Sequence, residues 1–290
     1  MTRRMRRVAL MGHTRRVGIA RTAAKARTWL ARQGCEVRVE EGLAGALGQD
    51  GHRLGDLARW CQLLVTFGGD GTALIGARAL TGRTGALLPV NLGGLGFLTV
   101  AEESELVPAL RETLAGRWPI DRRRVVGGIV RRSGRIVHRG HALNDVVIKG
   151  GYRAIHLGLT AMGCDLGHVV ADGLIAASAS GSTAYSLSAG GPVVSPDVEA
   201  LIVTPAAAHS IASRSLVLPP GATVSARLIH SADRTLVLYD GQESVSLRHG
   251  DEVELRLERR RLRIVRNPAL PFPAALQRKL GWQGSTRRSA

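Results

Sequence analysis

Aromatic side chains are scarce: they make up 3% of 290 residues, with four Trp, three Tyr and three Phe. Single-strand nucleic-acid binders stack bases on aromatic platforms, and a chain this poor in rings offers few of them. Cysteine is also sparse. Cys35, Cys61 and Cys164 are odd in number, far apart and in no CxxC pair, which argues against a disulfide framework or a zinc cluster and for a reducing cytoplasm. No apolar run reaches the roughly 18 residues of a membrane span. The basic start MTRRMRR is followed only by the short apolar stretch Val8–Met11, too little for a signal peptide. The sequence contains no GxGxxG fingerprint, no GxxxxGK[ST] loop and no GxSxG elbow, so dinucleotide dehydrogenase, P-loop and α/β-hydrolase chemistry find no support. Lysine is nearly missing too: Lys25, Lys149 and Lys279 stand alone. The net charge of +17 therefore rests on arginine. Such a balance suits a protein that handles polyanions, but the arginine clusters lie mostly near the termini and turns, where they read as solvated faces.

What is present is a chain of ordinary globular composition, 44% hydrophobic and 22% charged, long enough for two domains. The stretch Leu63–Thr72, LLVTFGGDGT, organises the first half. An apolar, β-branched run predicts a buried strand. It breaks into Gly68-Gly69-Asp70-Gly71-Thr72, whose glycines let the backbone turn tightly and approach a ligand. Amides exposed in such a turn make a site for phosphate, above all where a helix begins next. That helix is expected over Ala73–Leu80 with Thr72 as its cap. Asp70 is out of place in a phosphate cradle unless it meets a cation or takes a proton from a substrate hydroxyl.

Around this stretch the spacing predicts strands at Val8–Met11, Cys35–Val39, Leu63–Phe67 and Ala86–Leu92. Helices are expected at Ala20–Gln33, Leu54–Cys61 and Ser104–Leu114, the last capped by Ser104, with a loose Gly-rich connection over Gly42–Gly55. The β/α alternation describes a doubly wound parallel sheet, which binds ligands at the carboxyl ends of its strands. From about Trp118 the texture changes to short period-two strands: Val125–Val130, Arg135–His138, Ala142–Ile148, His156–Thr160 and Asp165–Val170. Ala200–Val203, Val224–Ile229, Thr235–Tyr239, Ser244–Arg248, Glu252–Leu257 and Leu262–Arg266 continue the series. They describe an all-β sandwich or barrel. Pro271–Leu280 reads as a final helix and Gln283–Ala290 as a frayed tail. The expected domains are 1–117, α/β; 118–267, β-sandwich; and 268–290, a helix and tail folding back.

Two further constellations carry polar chemistry. Asn144-Asp145 sits within the apolar Ala142–Ile148, where an amide and a carboxylate can bracket the two hydroxyls of a ribose. The segment Asp172–Pro192 is rich in small hydroxyl residues around Gly181, with Tyr185 and Ser188 at helical spacing from Ser182. A helix start with hydroxyls suits the polar edge of a nucleotide.

Taken together, GGDGT at Gly68–Thr72, the NLGxLGFL-like run at Asn91–Leu98, the strand Ala142–Ile148 and the DGLI…GSTAYSLSAGGP block at Asp172–Pro192 resemble the NAD kinase family. Thr204-Pro205, His209-Ser210 and Asp240-Gly241-Gln242 extend the likeness, from about residue 8 to 270. The chain departs from the family with Asp145 in place of the usual Glu and Ser178-Ala179-Ser180 in place of Thr-Pro-Thr. The resemblance implies an α/β domain followed by a β-sandwich. It also implies transfer of a phosphoryl group from ATP or inorganic polyphosphate to the adenosine ribose 2′-hydroxyl of NAD, with Mg²⁺ or another divalent cation. By the same resemblance Asp70 is the general base. Asp70, Gly71, Asn144, Asp145, Asp172, Thr183, Ala184, Tyr185, Ser186, Leu187, Ser188 and Gln242 bind NAD. Gly68, Gly69, Gly71, Thr72 and His209 bind phosphate, and no residue is assigned as a metal ligand. A cytoplasmic homodimer or homotetramer is implied, without nucleic acid or membrane as partner. GGDGT also occurs in diacylglycerol and sphingosine kinases, so a lipid kinase is one alternative. A noncatalytic NADP(H) sensor and a nucleic-acid-binding module are the others.

Overall fold

The computed structural model describes residues 5–13, 18–94 and 96–281. The chain forms two compact units, Met1–Arg122 with Leu262–Ala290, and Arg123–Arg261.

In the first unit a parallel sheet runs in the order Glu36–Val39, Arg7–Gly12, Leu63–Phe67, Ala86–Asn91. Arg263 and Ile264 add to its edge, again parallel, beside Ala86 and Leu87. Leu63–Phe67 and Ala86–Asn91 are buried at every position. That is the pattern of parallel strands covered on both faces, and it is why they read as unbroken apolar runs. Helix Ile19–Arg32 lays Ile19, Ala23, Ala26 and Leu30 against the sheet at helical spacing. It stops at Gly34, whose φ of 75° is a left-handed geometry that glycine adopts without strain.

Three local expectations are corrected here. The helix after the glycine turn spans Asp70–Leu80, with Gly69 as N-cap and Thr72 buried inside the first turn. An acid in the first turn complements the helix dipole, so Asp70 starts the helix and does not merely precede it. The Gly-rich stretch expected to be a loop holds helix Glu41–Ala46, capped by the Glu40 carboxylate on the Gly42 and Leu43 amides. Glu102 and Glu105 form a capping box around a single 3₁₀ turn, and the helix begins at Leu106, so Ser104 is not its cap. Helix Phe272–Leu280 follows Pro271; the expected tail Gln283–Ala290 lies outside the described residues.

The second unit is all-β, with two antiparallel sheets. One runs Cys164–Ala171, Ile155–Ala161, Thr223–His230 and then the first half of Glu252–Val265. The other runs Leu216–Leu218, Leu201–Ala206, Gly173–Ala177, Asp145–Lys149, Thr235–Tyr239, Glu243–Leu247. Leu157, Val224 and Leu255 of the first sheet and Val146, Leu174 and Val237 of the second share one core. Ile175, Ala177 and Val147 bury the opposite face of the second sheet. Gly173–Ala177 is thus covered on both sides and shows no alternation, so a period-two search passes over it. The two strands expected at Glu252–Leu257 and Leu262–Arg266 are one, Glu252–Val265. Its charged middle, Glu258-Arg259-Arg260-Arg261, keeps strand geometry because long side chains lie along the surface with their heads in water.

Candidate active site

Each unit carries part of the constellation. In the first, Gly68 follows the strand Leu63–Phe67 and donates its N–H to the Val90 carbonyl (3.0 Å). A Cβ at Gly68 would lie 2.7 Å from Cβ of Thr72, so the turn closes only over a glycine. Thr72 is 6% exposed and its N–H is spent on the Gly69 carbonyl (3.0 Å). Its part in the turn is packing. Gly69 is half-buried and Gly71 exposed.

The Asp70 carboxylate accepts two main-chain hydrogen bonds, from the N–H of Phe97 (2.9 Å) and of Leu98 (3.2 Å). The second glycine-rich run is therefore a seat for the aspartate. Gly96 gives it room: a Cβ there would fall 1.7 Å from Oδ1 of Asp70. Asn91 and Thr99 hold the seat in shape. Asn91 donates to the Gly94 carbonyl (2.5 Å) and accepts from the Gly93 N–H (2.9 Å), and Oγ1 of Thr99 accepts from the Gly96 N–H (2.7 Å). A carboxylate fixed through two amides keeps lone pairs to accept a further proton or cation. Among the described residues no group of three His, Cys, Asp or Glu side chains could hold a metal ion. No thiol competes as nucleophile at Cys61, where burial pushes the pKa up to about 11.

In the second unit, three strand ends meet. Asp145 begins Asp145–Lys149 and faces Ala177 at the end of Gly173–Ala177, while Tyr239 ends Thr235–Tyr239 opposite Val146. Asn144 and Asp145 thus stand at a strand start, not within a strand as expected. The turn they form is clamped from two sides. Ser178 donates its hydroxyl to the Leu143 carbonyl (2.5 Å) and accepts from the Gly181 N–H (3.2 Å), while its own N–H reaches the Asn144 carbonyl (2.9 Å). Gly181 must be glycine, since a Cβ would fall 2.0 Å from the Asn144 carbonyl oxygen. On the other side the Asp240 carboxylate accepts the N–H groups of Leu143 (2.7 Å), Asn144 (2.8 Å) and Asp145 (3.2 Å).

Asp240 was quoted in the sequence pattern but given no role. Its signal was there, an Asp-Gly pair after a β-strand, the strongest short hairpin signature. Both residues have positive φ, 50° and 65°. The strand that delivers Asp240 is anchored by Tyr239, fully buried, whose hydroxyl donates to the Gly128 carbonyl (3.1 Å).

Asp145 is 6% exposed. Burial, and next the negative charge of Asp240, push its pKa up to about 7, although the Tyr185 N–H donates to its carboxylate. Beside it, Oδ1 of Asn144 is buried with no hydrogen-bond partner. A buried acceptor left open costs about 1–3 kcal/mol, a deficit that a donor on a ligand removes.

The Ser-rich block bends as a 3₁₀ turn, Ser180–Thr183, and a one-turn helix, Tyr185–Ser188. Tyr185 is 40% exposed. Ser188 is exposed, whereas Thr183, Ala184 and Leu187 are half-buried. Ser186 is fully buried and bonded to Oγ1 of Thr204 (3.0 Å), so its part is internal. Gln242, exposed, closes the Asp240-Gly241 turn by donating its N–H to Tyr239 (2.9 Å). Asp172, exposed, lies at the other end of Gly173–Ala177, about 16 Å of strand away from the residue beside Asp145. Its N–H is bonded to Ala206, and that of His209, also exposed, to Val170. The structure therefore gathers Asn144, Asp145 and Tyr185, and sets Asp172 and His209 apart from them.

Two family profiles cover most of the chain: the ATP-NAD kinase N-terminal domain matches residues 8–118 and the ATP-NAD kinase C-terminal domain residues 143–267. An NAD kinase of Syntrophotalea carbinolica is 37% identical over 88% of this chain and 90% of its own length. One from Desulforamulus reducens is 34% identical over 96% and 99%. A yeast NADH kinase solved with NADH superposes with a TM-score of 0.91 at 25% identity, covering 100% of this chain and 91% of that one. These likenesses run through both units, which a shared GGDGT motif alone would not produce, and the lipid-kinase alternative is not favoured. The chain belongs to the NAD kinase family.

Proposed function

We propose that this protein transfers the terminal phosphoryl group of ATP, or of inorganic polyphosphate, to the 2′-hydroxyl of the adenosine ribose of NAD, giving NADP. One observation carries the reading: a lone carboxylate, Asp70, opens a helix inside a glycine turn and is aimed by two amides from a second glycine-rich loop. In this role Asp70 accepts the proton of the 2′-hydroxyl while the ribose oxygen attacks phosphorus and the donor's bridging oxygen leaves. Gly69 and Gly71, at the dipole-positive helix start, hold the phosphate chain beside it, with Gly68 and Thr72 closing the turn beneath. The open Oδ1 of Asn144 takes a hydroxyl or amide donor of NAD, Asp145 a ribose hydroxyl, and the exposed Tyr185 ring packs on the nucleoside. Thr183, Ala184, Leu187, Ser188 and Gln242 line the same region. Asp172 serves the nicotinamide end, since a dinucleotide is an extended ligand, and His209 contacts phosphate.

A divalent cation, Mg²⁺ or a substitute, fits this donor set as a phosphate-borne ion. Such ions are held through one or two carboxylates plus substrate phosphates, and Asp70 offers one carboxylate. It would neutralise charge on the transferring phosphoryl group. A cytoplasmic homodimer or homotetramer completes the proposal; exposed Ile136 and Val137 on strand Arg135–Ala142 supply apolar surface for assembly.

The test is direct. Purified protein with NAD and Mg²⁺ is given ATP or polyphosphate, and NADP is read with an NADP-specific dehydrogenase. Turnover with either donor, lowered about 10²–10⁴-fold in Asp70→Asn, is the expected result. Binding of NAD or NADP(H) without turnover would leave a sensor instead.

A further inference from the structure

On the second unit, arginines from three strands converge on one cavity of about 770 Å³. Arg124 and Arg139 come from the strands Ile120–Arg132 and Arg135–Ala142, and Arg256, Arg259 and Arg260 from Glu252–Val265. Glu258 is the single acid in the lining, and the loop Pro220–Thr223 closes one side. Three of the five cations are committed. Arg124 pairs with Glu199 (2.7 Å), Arg256 with Glu254 (3.2 Å) and Arg260 with Glu258 (2.5 Å). Arg139 and Arg259 have no acidic partner among the described residues, and both are exposed. Like charges gathered in a concave wall repel one another and focus a positive potential into the hollow, an arrangement that an anion relieves.

We infer that this cavity is a binding site for a short phosphate chain, such as inorganic tripolyphosphate or the triphosphate tail of a nucleotide. Its volume is that of a small-molecule site. Among the described residues no aromatic ring lines it, and those that do line it offer no platform on which a nucleobase or a single strand would stack. Guanidinium forks match phosphate oxygens in pairs, as point charges do not. A second copy of the chain is a poor occupant, because a two-fold contact would set the same cations against each other. The site shares no residue with the Asn144–Asp145 turn or the Asp70 turn.

The experiment is calorimetric titration of the full chain, without NAD, with tripolyphosphate, ATP, sulfate and a short RNA. Its outcome is therefore independent of whether NAD is phosphorylated. Arg139→Glu/Arg259→Glu is compared with the charge-matched control Arg53→Glu/Arg278→Glu, and melting of each variant confirms folding. The cavity variant is expected to lose one class of tripolyphosphate sites, with affinity down at least about a hundredfold, about tenfold per arginine, while the control keeps it. ATP that competes for that class shows that the site reads the tail; ATP that fails shows a preference for the inorganic chain. Equal weakening in the control, sulfate bound as tightly as tripolyphosphate, or a short RNA bound more tightly through the same two arginines would overturn the inference.

Discussion

Replacing Asp145 by Asn should flatten a pH dependence that this one group writes into the stability of the second unit. An aspartate in the unfolded chain loses its proton near pH 4. Folded, buried and facing Asp240, Asp145 holds it to about 7. Between these values the native state carries a proton that the unfolded state has released, so stability falls as pH rises. It is highest below about 4, declines by about 1.4 kcal/mol per pH unit, and levels off above about 7, where both states are ionised. Across the window the loss is about 4 kcal/mol. An asparagine keeps an acceptor for the Tyr185 N–H and has no proton to lose. The variant should match the native protein only below about pH 4, exceed it by about 1.4 kcal/mol at pH 5 and by about 4 kcal/mol at pH 8. All four tryptophans lie outside Arg123–Arg261 in the sequence, so a probe located within the unit is needed. Amide exchange in peptides covering Asp145–Lys149 and Gly173–Ala177 supplies it. A protection ratio between variant and native protein that grows from pH 5 to 8 supports the argument; a ratio constant with pH refutes it.

Other perturbations follow from the same contacts. Asp70→Asn should lower kcat for NADP formation about 10²–10⁴-fold with a much smaller change in KM, which steady-state kinetics resolves. Gly96→Ala puts a methyl 1.7 Å from Oδ1 of Asp70 and should cost comparable activity by displacing the carboxylate, while circular dichroism stays native. Asp240→Ala leaves three amides without their acceptor. It should destabilise the second unit by about 2–4 kcal/mol in exchange measurements and raise KM for NAD more than it lowers kcat. Ser178→Ala, which removes a hydroxyl bridging Leu143 and Gly181, should act in the same direction by about 1–2 kcal/mol.

The parts of the fold written in local pattern were legible in the sequence. Leu63–Phe67 and Thr235–Tyr239 have the bounds that their apolar and period-two runs announce. Gly173–Ala177 was not legible: buried on both faces, it shows no alternation, and it runs directly into the hydroxyl-rich turn that follows. The arginine-rich middle of Glu252–Val265 failed for the opposite reason, since surface charge masks a strand whose geometry comes from its neighbours. In the candidate site the residue types were legible, but their couplings were not. Asp70 is bonded to a loop 27 and 28 residues away, and Asp240 to a turn 95 to 97 residues away.

Those couplings nevertheless left a trace, and it was in the glycines. From the sequence, Gly68 reads as a point of backbone freedom in a turn that bends toward a ligand, while Gly96 and Gly181 stand only as members of their glycine- and serine-rich runs. In the structure each stands where another group already fills the place of a side chain: Thr72 against Gly68, the Asp70 carboxylate against Gly96, the Asn144 carbonyl against Gly181. Gly96 and Gly181 do not take the positive φ that Gly34 does; Gly68 does, at 158°, and there the Thr72 side chain also occupies the place of a Cβ. They are glycine because a Cβ would separate the two segments that build the site. A glycine beside a polar motif can therefore mark the docking point of a distant segment. That inverts the usual inference from glycine to flexibility: each of these glycines closes a contact between segments, of the kind that positions a base or a ligand anchor.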